Sequence, residues 1–221
     1  MNVQKSSVNA SPYVGIFCRT TETFTLAPPT IFSSEKKNLE NALNTKIIFT
    51  SLAQSPLLGV LCIANQNGVV LPQIIEKNEI VELEKHGLSV LQVDVTDAVG
   101  NLLAVNDNVG FCSPLVGKKT KDQIAQFLKI KIITQKIADS DLVGSNLVLS
   151  NAGFVCNPTI TPAEFRQIQK HSGLTGNKTS ANYGDLHPGN CVAANSHGAI
   201  VGPHSTPHEM FAIDEALSGS A

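Results

Sequence analysis

The stretch DLHPGNCVAAN brings Asp185, His187 and Cys191 within seven residues of one another. A thiol beside an imidazole is the pair from which a cysteine nucleophile is made: the histidine takes the proton and a carboxylate orients the histidine. No second carboxylate and no glycine-rich approach to the cysteine is recognisable here. Cys191 instead opens an apolar run. His187, His197, His204 and His208 share the same region and raise the question of zinc. His204 and His208 are four apart, but Thr206 starts a helix between them and no cysteine sits at ligand spacing. The sequence predicts no metal and no cofactor. GKKT at 117–120 matches the end of a phosphate-binding loop, yet the glycine such a loop needs upstream falls at Cys112.

A second chemical signal is charge. GKKTKDQIAQFLKIKIITQK, from Gly117 to Lys136, holds six lysines and one acid, Asp122, within a chain of net charge −2. A run of this kind is either a solvated helix face or a contact for nucleic-acid phosphates, with Lys118, Lys119 and Lys121 at its head. The near-neutral balance of the whole argues against a dedicated nucleic-acid or membrane-surface binder. No apolar run approaches the roughly 20 residues that cross a bilayer, and the first residues, MNVQKSSVNASPYVG, carry no signal-peptide pattern. The expectation is a cytoplasmic protein without membrane contact.

What positions these residues is a repeat. Pro28, Pro72, Pro114, Pro158 and Pro203 lie 44, 42, 44 and 45 residues apart. Gly15, Gly59, Gly100, Gly144 and Gly189 precede them at a matching offset. Each unit opens with an apolar strand (LLGVLCIA, NLVLS), turns, and runs back in a second strand to its proline (GVVLP, FVCNP). Asn67-Gly68 predicts a type I′ turn, in which both residues take positive φ. A helix follows. TPAEF puts Thr161 at N-cap, Pro162 at N1 and Glu164 at N3, and TPHEM repeats this with Thr206, Pro207 and Glu209. Thr120 and Gln123 offer the same relation in the third unit. SEKKNLENAL and NEIVELEKHG give the first two helices, ending near Asn44 and Gly87. A third strand closes the units: KIIFTSL, LSVLQVDV, IKIITQKIA and, with a weaker pattern, NKTSANYG. The fifth is missing, and the N-terminal NVQKSSVNA is placed to supply it.

A unit that cannot bury its own apolar face gains most by closing into a ring. The reading is one domain, residues 1–221, with units near 13–56, 57–98, 99–142, 143–187 and 188–221. Its fold class is α/β, a closed five-bladed propeller of strand–strand–helix–strand repeats. The cysteines fit that register. Cys18 and Cys62 occupy matching positions, as do Cys112 and Cys156, and all fall in apolar stretches where a thiol serves as a small hydrophobe.

The stretches SPYVGIFCRTTETFTLAPP, LLGVLCIANQNGVVLP, IADSDLVGSNLVLSNAGFVCNP and CVAANSHGAIVG resemble the translation initiation factor 6 family. The resemblance runs from Pro12 to Leu217, in the shorter archaeal form. Ser113 and Asn157 stand where the family often has histidine. The resemblance implies the pentein-like ring, which guanidine-modifying enzymes with a cysteine nucleophile share and which makes such an enzyme the alternative reading. It also implies a protein that is not an enzyme. Members bind the large ribosomal subunit on its intersubunit face and so block joining of the small subunit. A translational GTPase and a second factor release them. The face carrying the glycine loops would meet a ribosomal protein, with Val14, Leu58, Val60, Asn101, Leu102, Asn146 and Asn190 as candidate contacts. Lys118, Lys119 and Lys121 are candidates for ribosomal RNA. A monomer is expected.

Overall fold

The computed structural model describes residues 1–95 and 98–219. Positions 96–97 and 220–221, at the ends of the second and fifth units, lie outside the described residues. Strand β1 (Asn2–Lys5) comes first. Unit one is α1 (Val14–Phe17), β2 (Arg19–Thr20), β3 (Phe24–Ala27), α2 (Ser33–Leu43) and β4 (Lys46–Phe49). Unit two is α3 (Leu58–Leu61), β5 (Ile63–Asn65), β6 (Gly68–Pro72), α4 (Lys77–Lys85) and β7 (Val90–Val93). Unit three is α5 (Val99–Leu102), β8 (Leu103–Val105), β9 (Val109–Cys112), α6 (Lys118–Leu128) and β10 (Lys131–Thr134). Unit four is α7 (Val143–Asn146), β11 (Leu147–Leu149), β12 (Phe154–Cys156), α8 (Pro162–Ser172) and β13 (Gly176–Lys178). Unit five is α9 (Pro188–Cys191), β14 (Val192–Ala194), β15 (Gly198–Val201) and α10 (Pro207–Leu217).

The strands form five three-stranded sheets of one design. In each, the middle strand is antiparallel to the first strand and parallel to the third, as in Ile63↔Val70 and Val69↔Val90 of unit two. A parallel neighbour demands a crossover, and the long helix of each unit supplies it. The first strands, β2, β5, β8, β11 and β14, touch one another in turn around an axis. The fifth sheet is completed by β1, which pairs parallel to β15 with Asn2 opposite Gly198 and Lys5 opposite Val201. The fold is therefore a closed five-bladed α/β propeller.

Five apolar clusters hold it, and each lies between adjacent sheets and under one long helix. Leu26, Ile48, Leu71 and Leu83 lie between sheets one and two. Ile63, Val70, Cys112, Ile124 and Leu128 seal two against three. Phe111, Phe154 and Ile168 follow, then Val155, Val201, Ile213 and Leu217. Leu39, Leu43 and Ile200 close five against one. Every sheet thus buries both faces, and its strands read as near-continuous apolar runs.

Two local expectations are corrected. Asn67 does not adopt positive φ, so Asn67-Gly68 is not a type I′ turn. The turn is made by the preceding Asn65, whose Oδ1 accepts from the Asn67 amide at 2.9 Å. Asn106, Asn195, Ser150 and Thr21 repeat this side-chain turn in the other units. Helix α6 starts earlier than Thr120 implied: its N-cap is Gly117, and Thr120 is the buried N3 residue. Gly117 places the cap 44 residues before Thr161, on the period of the repeat.

Candidate functional site

All loops of one kind gather on one side of such a ring. The side where the middle strands reach their prolines, here the proline face, also carries the long-helix N-termini and the turns leading into each unit. The opposite side, the asparagine face, carries the Asn65, Asn106 and Asn195 turns.

The glycines open five one-turn helices rather than loops: α1, α3, α5, α7 and α9. None of the five has positive φ, so turning is not what selects them; close approach is. A Cβ on Gly15 would lie 2.1 Å from the Gly189 carbonyl oxygen, and one on Gly59 would lie 1.8 Å from that of Gly15. The series continues from Gly100 to Gly59 at 2.1 Å, Gly144 to Gly100 at 1.9 Å and Gly189 to Gly144 at 1.9 Å. The five glycines form a closed ring of backbone-to-backbone contacts about the axis, which only a residue without a side chain permits.

This packing divides the expected contact residues. Val14 and Leu58 are fully buried, Leu102 is 6% exposed and Asn146 is fully buried. They are withdrawn from any partner, because the one-turn helices turn these side chains into the molecule. Asn146 has an internal role. Its Nδ2 donates to the Leu142 carbonyl at 2.8 Å, and its Oδ1 accepts from Asn157 Nδ2 at 2.7 Å. Val60, Asn101 and Asn190 are half-buried. Asn101 accepts from Ser145 Oγ of the next unit at 3.3 Å.

The proline face carries most of the exposed large apolar side chains. Among the described residues nine large apolar side chains stand out to solvent, and seven belong to this face: Tyr13, Phe32, Ile74, Leu115, Leu142, Tyr183 and Leu186. Val81 and Phe211 lie on the flanking helices. Tyr13 and Leu142 occupy equivalent positions, one residue before the one-turn helix, as do Leu57, Ala98 and His187. That equivalence is visible in the sequence once the glycines are aligned; exposure is not. Lys118 and Lys119 are exposed at the start of α6, on the same face, and Lys121 donates to Thr134 Oγ1 at 3.1 Å.

The leading turns are held from below by acids. Asn9/Ala10, Ala53/Gln54, Ala138/Asp139 and Asn182/Tyr183 each place two non-glycine residues at positive φ. The N3 glutamate of the unit's long helix receives their amides. Glu35 accepts from Asn9 and Ala10, Glu79 from Ala53 and Gln54, Glu164 from Asp139, and Glu209 from Tyr183 and Gly184. The same carboxylates cap their own helices by accepting from the amides of Phe32, Glu76, Thr161 and Thr206. Burial alone would raise the pKa of Glu209. Hydrogen bonds from the Thr206 amide, Ser180 Oγ and the Gly184 amide more than offset it and hold the group at about 2. Glu35 and Glu164 are lowered in the same way.

All five thiols are buried. Burial pushes Cys191 up to about 12, and the side chains acting on it are Asp185, Asn182 and Glu209, with no histidine among them. The His187 ring faces Asp185 at 3.3 Å and is exposed. Cys18, Cys112 and Cys156 are raised to about 12 and Cys62 to about 11, each chiefly by burial. Among the described residues no group of three His, Cys, Asp or Glu side chains converges as metal ligands, and no helix is long and apolar enough to cross a membrane.

Fold and axis together define a class: closed five-bladed α/β propellers packed on an axial glycine ring. Comparison with known proteins gives the particular group. The eIF-6 family matches residues 3–216, and the chain belongs to that family. "Translation initiation factor 6" of Methanocaldococcus jannaschii is 32% identical over 214 residues, 93% of each chain. The protein of that name from Methanospirillum hungatei is 27% identical over 211 residues, 96% of each. Among solved structures, a dimethylarginine dimethylaminohydrolase adduct with S-methyl-L-thiocitrulline is similar at a TM-score of 0.44 and 16% identity, covering 94% of this chain and 74% of that one.

Proposed function

We propose that the chain is a translation initiation factor that docks its proline face on the large ribosomal subunit and keeps the small subunit away by occupying the space between them. The observation that carries this reading is the gathering of seven of nine exposed large apolar side chains on one face. Exposed large apolar side chains on one face, among polar groups, are what a protein partner desolvates. Val60, Asn101 and Asn190 join Tyr13, Leu142 and Leu186 as the contact set for a ribosomal protein. The relatives named "Translation initiation factor 6" supply the translational setting.

The start of α6 supports a further contact with ribosomal RNA. The first turn of a helix favours acids, because unpaired amides make that end positive. The other four long helices obey with Glu35, Glu79, Glu164 and Glu209, whereas α6 has no acid there and carries Lys118, Lys119 and Lys121. A local rule broken at one of five equivalent sites points to function. Phosphates would repay the repulsion and release counterions. The factor acts as a cytoplasmic monomer, without metal or cofactor. Its removal by a translational GTPase and an accessory factor belongs to the same proposal.

The test is co-sedimentation with separated archaeal subunits, small subunits being added last. Expected are pelleting with large subunits alone and fewer joined ribosomes. Leu142→Glu combined with Tyr183→Glu abolishes both effects while leaving Tm unchanged, since both side chains are exposed. Failure to pellet with either subunit, at low and at physiological salt, overturns the reading.

A further inference from the structure

Each sheet ends on an outer strand with a free edge: β1, β4, β7, β10 and β13. Such an edge invites pairing with a foreign strand, and a lysine on it is a common deterrent. Four of the five carry one: Lys5, Lys46, Lys131 and Lys178. Strand β7, VLQV, carries no charge. Ser89, Gln92 and Asp94 are exposed there, and Val90 and Leu91 are half-buried. The register fixes which groups point outward. The Val69 amide donates to the Ser89 carbonyl at 2.9 Å, and Val69 lies opposite Val90. In a parallel ladder Ser89 and Leu91 then serve β6, while Val90 and Gln92 turn their amides and carbonyls away from it. No described strand receives them. The Gln92 side chain is drawn back toward β6, where its Nε2 donates to the carbonyls of Pro72, Gln73 and Ile75.

Charge chooses the occupant. On one face of sheet two α4 shares a core with Val90, and on the other α6 shares one with Leu91 and Val93. The α4 side exposes Glu76, Glu82 and Glu84 against Lys77 and Lys85, and exposed Asp94 follows the strand. Helix α6 is basic at its start, with Lys118, Lys119 and Lys121. A second copy pairing antiparallel across a two-fold axis would set α4 against α4 and α6 against α6. Like charge would then meet like charge on both faces, which opposes self-pairing. What fits is an extended segment of another protein, with basic side chains at the alternate positions that lean toward α4. We propose that β7 takes such a segment as the fourth strand of sheet two, supplied by a protein of the large ribosomal subunit. The inference rests on the docking reading above. Main-chain hydrogen bonds from Val90 and Gln92 supply affinity, and the acids of the α4 side select the sequence.

Hydrogen–deuterium exchange of the factor, free and pelleted with large subunits, reads the edge. The Val90 and Gln92 amides should exchange quickly in the free protein and at least about tenfold more slowly in the complex. Gln92→Pro removes one outward donor and none of the bonds to β6. It should weaken large-subunit binding about tenfold, whereas Gln92→Ala, which keeps the amide, should bind as the wild type does. Should the proline variant not fold, exchange in the wild type still decides. Pelleting without protection overturns the fourth strand and leaves the docking reading standing; no pelleting overturns both. Protection with an unimpaired proline variant means that the edge is covered but not paired, and overturns the proposal equally. Glu84→Lys should also weaken binding, and an unchanged affinity would overturn the basic segment.

Discussion

At the scale of single residues, the glutamates at N3 do two things at once: each caps a helix and pins a turn whose backbone is otherwise unfavourable. Glu209 shows the consequence for pH. Its folded pKa, about 2, lies below its ordinary value of 4.5, so its contribution is complete above about pH 4.5 and is lost as the pH falls toward 2. Glu209→Gln keeps the shape but removes the charge; it should cost about 2 kcal/mol at neutral pH, as the loss of hydrogen bonds to a charged group does. The same variant should flatten the acid limb of the stability curve, measured by urea unfolding at a series of pH values. The cysteines give a second check. With every thiol raised to about 11 or 12 by burial, folded protein should react with a thiol reagent no faster than it unfolds. Rapid labelling of Cys191 would revive the nucleophile reading.

At the scale of elements, the glycine ring and the leading turns make opposite demands on side chains. Gly144→Ala would drive a methyl group to 1.9 Å from the Gly100 oxygen and 2.6 Å from the Leu103 oxygen. Backbone cannot yield there without parting two units, and a loss of about 3 kcal/mol is expected in chemical denaturation. Ala53 and Gln54 instead sit at φ values of 52° and 57°. A residue with a Cβ bears roughly 1–2 kcal/mol there, and glycine would relieve it at a smaller entropic cost. Gln54→Gly should therefore raise stability by about 0.5–1 kcal/mol. How far the sequence disclosed these elements follows from the range of the interactions. Periodicity and the Thr161–Glu164 and Thr206–Glu209 boxes are local, and they located strands and helices. The role of the glycines was hidden, because their spacing shows equivalence while each contact joins residues a full repeat or more apart. Asn146 looked like a contact residue because its partner, Asn157, follows only after the intervening β11–β12 hairpin. At α6 the local signal misled, since Thr120 resembles a cap yet is buried at N3.

At the scale of the molecule, charge on the proline face is uneven: four long helices begin with Glu35, Glu79, Glu164 and Glu209, while α6 begins with Lys118, Lys119 and Lys121. If the lysines meet phosphates, Lys118→Glu combined with Lys119→Glu should weaken large-subunit binding and reduce the slope of log affinity against log salt by about 2. An unchanged slope would confine the contact to protein. The five inter-sheet cores also couple every unit to two others, so unfolding should be a single cooperative transition, with fluorescence and circular dichroism midpoints coinciding.

Strand β1 and its neighbour β15 stand nearly two hundred residues apart in the chain. During synthesis at about 5–20 residues per second, the first strand made must wait roughly 10–40 s for the strand it will join. Unpaired strands are hazards for aggregation, and polar or charged side chains lessen the hazard. The sequence NVQK, half turned to solvent even in the finished fold, is suited to that delay. The polarity that makes these residues a weak strand in isolation lets them stay single until their partner emerges.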